Sequence, residues 1–482
     1  MRKARSFLRG GLGAFIVFAG LAVLAQDPGK NITHKQEVSC CSKEACHCSC
    51  KQKGQNGCHA DCCSSSSIVQ RLSEKKAVGF FAVPRTNWFL KIFGKVKATG
   101  VYDVHATKNG PAYDHCLAQT ILQPGEESKK GEFRFHARES RVGLETFTPL
   151  GGEINMFTFV DVDFFGSSQT EESLFTPLSL RVRCAYMTLG GRFWTFLFGQ
   201  THSTFNFGGL ADPEVADFSG PTGFVGGGRR PQIRASYKGS SWSVDLALEN
   251  PEGEYINKKG GTKFAQRVTD SYFACDQVPD VVVAFQGNSE KAEGRVYAMG
   301  RRIHLTKTDK SPDISVFGWG AGLSAGYQYV GQSRVYLQFG GGRGIGRYLG
   351  DANGYAVYLD DSNKAHTMVA FGGLVGIQQY WSECWAWRTS AAFGWTRINT
   401  HSDLVSHSYT EGTGTSATTK YAVFDKEIRS FMINTFCSPF GPSVDIGIEW
   451  LHGDRILKVK EGDPSKGTID RFIITIKSSF SS

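Results

Sequence analysis

An all-β fold, a transmembrane antiparallel β-barrel of about 16 strands behind a short Cys-rich tail, is what the sequence predicts. Three observations carry it. Long segments alternate apolar and polar residues with a period of two. After residue 25 no apolar run reaches the ~20 residues that a membrane-spanning helix needs. The composition, rich in Gly (57) and Phe (35) and poor in Pro (15), suits strands with one face to lipid and the other to water.

The chain opens with Arg2, Lys3, Arg5 and Arg9, followed by an apolar run from Gly11 to Ala25. This is the layout of a secretory signal peptide over residues 1–25. These four basic residues supply part of the net charge of +9, leaving +5, too little for a clustered nucleic-acid-binding face.

Residues 26–77 are polar, lack apolar periodicity and close on Ser64 to Ser67, which reads as a periplasmic tail and linker. Cys40, Cys41, Cys46, Cys48, Cys50, Cys58, Cys62 and Cys63 crowd this stretch. In an exported segment they are candidates for disulfides or crosslinks to envelope partners. A metal knot with His47 and His59 is the rival, but the Cys-Ser-Cys and Cys-Cys spacings fit no standard zinc pattern, so no metal is expected.

The barrel is expected over residues 78–482. In its first segment, Trp88 to Val104, Leu90, Ile92, Val96 and Tyr102 oppose Lys91, Lys95, Lys97 and Asp103. From Ile154 to Phe165, Ile154, Met156, Val160 and Val162 oppose Asp161 and Asp163, and then Leu180 and Val182 oppose Arg181 and Arg183. The rhythm recurs at Trp242 to Glu249, Phe317 to Tyr329, Trp385 to Thr396, Val444 to Trp450 and Arg471 to Phe480. Buried backbone polar groups in lipid must all be paired, so such segments have to close into a barrel. A soluble β-sandwich also alternates, but this many long segments would overfill one pair of sheets.

Ordered runs along the barrel make a resemblance specific. PRTNWFLKIFGKVKATGVYD (Pro84 to Asp103) and ARESRVGLET (Ala137 to Thr146) come first, then RVRCAYMTLGG from Arg181 and FGQTHSTF from Phe198. DFSGPTG from Asp217, RRPQIR (Arg229 to Arg234), LENPEG from Leu248, VPDVVVAF, GRGIGRYLG and IEWLHGDR follow. This region resembles the DcaP-like trimeric outer-membrane porin family. The resemblance implies a sixteen-stranded homotrimer in the outer membrane of a Gram-negative bacterium. It also implies a pore narrowed by an inward loop and favouring small organic anions such as carboxylates. The family's periplasmic coiled coil has no counterpart here, since the Cys-rich tail stands in its place.

Independently of family, the inward parity carries a basic set: Arg134, Arg138, Arg181, Arg183, Arg295, Arg301 and Arg388. Arg230 and Arg234 extend it, and Arg141 sits where the alternation slips, as at a bulge. Guanidinium groups along a narrow aqueous passage favour anions without a tight site, although each could instead be neutralised by an interior carboxylate. Thr201 to Gly228 lacks alternation, is Gly-rich and carries Asp212, Glu214 and Asp217, which marks it as the inward constriction loop. No GxSxG or HExxH motif appears, and the GRGIGRYLG glycines have no strand-turn-helix setting for phosphate, so neither an enzyme nor a cofactor is expected. The alternative reading is a structural or adhesive envelope barrel crosslinked through its tail.

Overall fold

The computed structural model describes residues 79–105, 130–166, 179–205, 211–217, 220–225, 228–256, 272–307, 313–360, 362, 364–382, 386–400, 408–411, 418–421, 424–459 and 465–481. The signal peptide, the Cys-rich tail and its eight cysteines lie outside the described residues.

The alternation of the sequence becomes a closed antiparallel barrel of 16 strands. They are β1 (Phe89–Asp103), β2 (Glu132–His136 with Arg141–Gly151), β3 (Ile154–Gly166), β4 (Ser179–Gly190), β5 (Trp194–His202) and β6 (Arg229–Lys238). Next come β7 (Trp242–Glu249), β8 (Tyr272–Ala274 with Asp280–Asn288), β9 (Ala292–Lys307), β10 (Ile314–Val330) and β11 (Ser333–Arg343). The wall is completed by β12 (Val369–Ser382), β13 (Trp387–Asn399), β14 (Phe424–Cys437), β15 (Val444–Lys458) and β16 (Lys466–Ser481). β16 pairs back onto β1 with Val101 opposite Ile473, so the sheet has no free edge.

Side-chain direction follows the two-residue period. Val96, Phe133, Phe135 and Leu180 are more than 60% exposed on the outside, whereas Lys97, Asp103 and Arg134 on the opposite parity are buried inside. The slip around Glu139 is a break in β2: both halves pair with β1, and residues 137–140 turn between them. Seven connections are short, such as the Gly151–Gly152 turn before Ile154, and all lie at one end. The longer connections lie at the other end, and among the described residues those after β5 and β11 fold back into the lumen.

The lumen charges also tie the closure. Arg471 of β16 grips Asp103 of β1 with two bonds, at 2.7 and 2.9 Å, while Arg134 of β2 donates to the same carboxylate at 2.5 Å. Such a doubly gripped buried carboxylate replaces the water it lost.

Candidate functional site

The connection between β5 and β6, residues 203–228, crosses the lumen. Near its start Ser203 and the Thr204 amide donate to Glu249 of β7, at 2.7 and 2.6 Å. It then runs over the inner faces of β11 to β16. Gln338 of β11 donates to the Ala211 carbonyl at 2.9 Å and Arg334 to that of Asp212 at 2.8 Å. Glu214 takes a two-pronged bond from Arg388 of β13, at 2.7 and 2.6 Å, and another from Gln378 of β12. The Ala216 amide donates to Glu449 of β15 at 2.7 Å, and Asp217 lies 4.0 Å from Arg471.

The chain then returns, with the Thr222 amide on Ser430 of β14 and the Gly223 amide on Asp351, both at 2.8 Å. Glycines make this close approach feasible. Gly223 has φ +78°, and a Cβ there would collide with the Gly373 carbonyl. A Cβ on Gly394 of the wall would strike the Thr222 carbonyl. The absence of alternation and the glycine content were therefore the signal for a backbone pressed against a wall.

Burial pushes the Asp212 carboxyl up to about 7, against the downward pull of Arg334. A carboxyl raised on folding contributes stability below its unfolded value, near 4, and loses that contribution as pH rises through about 7. Single-channel current noise is therefore expected to increase from pH 5 to pH 8.5 as the loop loosens. Asp212→Asn should stay quiet throughout; a wild-type trace equally quiet at both pH values would contradict this.

A second inward segment, residues 344–360, escaped the sequence reading. Its GRGIGRYLG run and the two residues after it form two 3-10 turns, Gly346–Tyr348 and Gly350–Ala352, and Gly344 and Gly346 take positive φ. Tyr348 sits with its ring centroid 3.7 Å from the Arg230 guanidinium and 5.7 Å from that of Arg301. Its hydroxyl lies 2.9 Å from Asp280 and 3.2 Å from Glu249. Phe205, Val225, Tyr297, Ile345, Leu349 and Tyr355 pack around it as a dry cluster. Glu254, which accepts the Gly354 amide at 2.8 Å, is pushed up to about 7 by burial. The unabsorbed signal was the tract from Ile345 to Leu359, too apolar for a solvated connection.

The predicted basic residues separate into groups. Arg230 and Arg301 are wholly buried beneath Tyr348. Arg295 bonds Asp245 at 2.9 Å, Arg388 is engaged by Glu214, and Arg134 by Asp103. Arg138 is buried in the break of β2, and Arg234 of β6 stands in the field of Asp245 and Arg295.

The remaining basic residues meet on the wall of β1 to β6. Arg181 and Arg183 both bond Asp163 at 2.7 Å, and Arg183 also lies 3.4 Å from Asp161. Arg141 is 4.0 Å from Asp161 and 28% exposed. Lys95 lies in the field of Arg141, and Arg229, which the charge argument had passed over, lies in that of Arg141, Arg181 and Arg183. Arg141, Arg181, Arg183 and Arg229 thus cluster on the wall that carries Asp161 and Asp163 and outnumber these two acids, with Lys95 beside them. A guanidinium array beside water attracts anions with little dehydration.

This arrangement, a closed barrel with an inward loop between its fifth and sixth strands and a charged lumen, is that of a channel. A family model described as the DcaP outer membrane protein matches residues 81–456. The chain belongs to the DcaP family. It is an outer-membrane channel of the porin class, and its family and fold are not those of enzymes. The outer membrane channel DcaP of Acinetobacter baumannii is 20% identical, with a TM-score of 0.63 over 83% of this chain and 100% of that one. OmpT of Vibrio cholerae is 9% identical (TM-score 0.48, 83% and 100% covered). An anion-selective porin from Comamonas acidovorans is 10% identical (TM-score 0.47, 82% and 100% covered). No curated protein matches.

In this DcaP-family chain, no described helix is long and apolar enough to cross a membrane. Among the described residues no cluster of His, Cys, Asp or Glu is arranged to hold a metal ion. His304, His366 and His452 each sit beside an aspartate, Asp313, Asp360 and Asp470 respectively.

Proposed function

We propose that this channel passes small polar anions, carboxylates foremost, by passive diffusion through an arginine-lined lumen narrowed by residues 203–228. The observation that carries this reading is the unequal charge of the two walls. On one side Arg141, Arg181, Arg183 and Arg229 outnumber Asp161 and Asp163. On the other, the acids of the loop are engaged, Glu214 by Arg388 and Asp217 beside Arg471. A carboxylate entering this field exchanges water for guanidinium donors matched to its two oxygens, and it leaves freely because no single site encloses it.

The working unit in this reading is a homotrimer with its N-terminal tail in the periplasm. The cysteines from Cys40 to Cys63 would form disulfides there with one another or with envelope partners.

The test is the zero-current potential of the full chain in a planar bilayer under a KCl gradient. The expected sign is that of chloride-dominated current. A cation-dominated sign, or a bilayer that does not conduct, would overturn the reading.

A further inference from the structure

A porin lumen is expected to be polar, yet at the short-turn end the inner wall of β1 to β4 is aromatic. Phe89, Phe93, Phe147, Phe157, Phe159 and Tyr186 all lie on the inward parity that continues into Lys95, Asp161 and Asp163. Cross-strand register sets Phe89 opposite Phe147, Phe147 opposite Phe157, and Phe159 opposite Tyr186.

Four of their rings form a continuous strip, and Phe89 and Phe147 form a pair beside it, 6.3 Å apart. Phe93 is 5.3 Å from Phe159, which stacks on Tyr186 at 5.4 Å and 19°, and Phe157 lies 6.4 Å from Tyr186. Gly143 of β2 makes room for it, because a Cβ there would run into the Phe93 ring. Five of these residues, Phe89, Phe93, Phe157, Phe159 and Tyr186, are half-buried, so part of each ring is presented to the lumen, while Phe147 is buried. The inward positions here also include the Lys91–Glu145 pair, at 3.5 Å, and Thr188 opposite Phe157, and further along the wall stands Arg141.

Five half-buried aromatic rings facing an aqueous passage are costly in hydration unless something flat and apolar covers them in use. From this wall we infer that the lumen carries a docking strip for small aromatic solutes, whose ring stacks on Phe93, Phe159 and Tyr186 while any acid group reaches Arg141 or Lys95. The strip deepens the reading above but depends on it only for the acid group, because stacking needs no charge on the solute. Its occupant is a free permeant because the strip is continuous with the charged wall of the passage. Apolar segments of the same chain or of a neighbouring copy are the other occupants, and these would leave no preference among solutes.

Transient block of single-channel current in the full-length protein separates the cases. Benzamide and cyclohexanecarboxamide are neutral probes of similar size, and benzoate and cyclohexanecarboxylate their charged counterparts. The aromatic member of each pair should block with about fivefold longer residence, the gain of one to two ring contacts. Phe159→Leu with Tyr186→Leu keeps apolar bulk while removing the ring faces, and should bring both pairs to parity at unchanged open-channel conductance. Equal block by aromatic and saturated probes in the wild type, or an aromatic preference that survives in the double variant, would overturn the strip. The neutral pair decides this even if chloride does not dominate the current, so failure of the anion reading registers separately.

Discussion

Replacing Glu214 by alanine is expected to release the inward loop from β12 and β13 and to raise single-channel conductance. Its carboxylate holds Arg388 through two bonds and accepts a third from Gln378, and its carbonyl takes another from Asn434 at 2.7 Å. The side chain of Arg388 is 8% exposed and that of Glu214 22%, so removing the acid leaves a guanidinium largely out of water. Breaking such a pair costs about 3 kcal/mol, since the remaining charge keeps its desolvation penalty. Asp445, 3.3 Å from Arg388, stays behind to take part of the charge, which favours loss of the loop's seat over loss of the barrel. Glu214→Gln should lie between, because the amide still accepts one bond. A conductance identical to wild type in Glu214→Ala would mean that the loop does not set the bore.

A larger cost to the barrel itself is expected for Asp103→Ala. Asp103 and Arg471 are wholly buried and Arg134 nearly so, and the one carboxylate serves both guanidiniums across the β16–β1–β2 seam. Its loss takes the shared partner from two buried cations at the strands that close the sheet and leaves them Glu132, 3.0 Å from Arg134, and Asp217, 4.0 Å from Arg471, an effect of about 3 kcal/mol. Heat-induced unfolding in detergent, followed as the mobility shift of the folded barrel on cold electrophoresis, should occur well below the wild-type temperature. Asp103→Asn should be milder, and an unchanged temperature for the alanine variant would show that the lumen supplies water to both arginines.

These two ion pairs mark the boundary of what the sequence makes legible. Alternation located the strands, because a period of two decides which side chains meet lipid whatever the partners are. The inward loop was also legible, through its glycines and broken alternation. Pairing among inward charges was not: that Glu214 meets Arg388, 174 residues away, depends on how the loop crosses the lumen. For the same reason Arg230 and Arg301, inward by parity, lie sealed beneath Tyr348 instead of facing water. The segment from Ile345 to Leu359 was missed because a connection is expected to be solvated, whereas this one carries its own apolar cluster. The inward phenylalanines had a signal in plain view: Phe93, Phe157 and Phe159 share parity with Lys95 and Asp161, against the rule for a polar lumen.

The charge asymmetry of the lumen is the claim on which the functional account stands, and Arg141, Arg229 and Arg234 are the cations to remove because none shares the tight two-carboxylate seat of Arg183. Each of these charges acts on an anion about 8 Å away with about 0.5 kcal/mol in a water-like dielectric, a value that salt roughly halves, and potassium gains what chloride loses, so the triple serine variant should lower the chloride-over-potassium permeability ratio by roughly tenfold. Zero-current potentials of wild type and variant under the same KCl gradient measure this directly. A chloride-dominated wild type whose selectivity collapses in the variant is the predicted result; a cation-dominated wild type, or a potential that the three substitutions leave in place, would contradict the account.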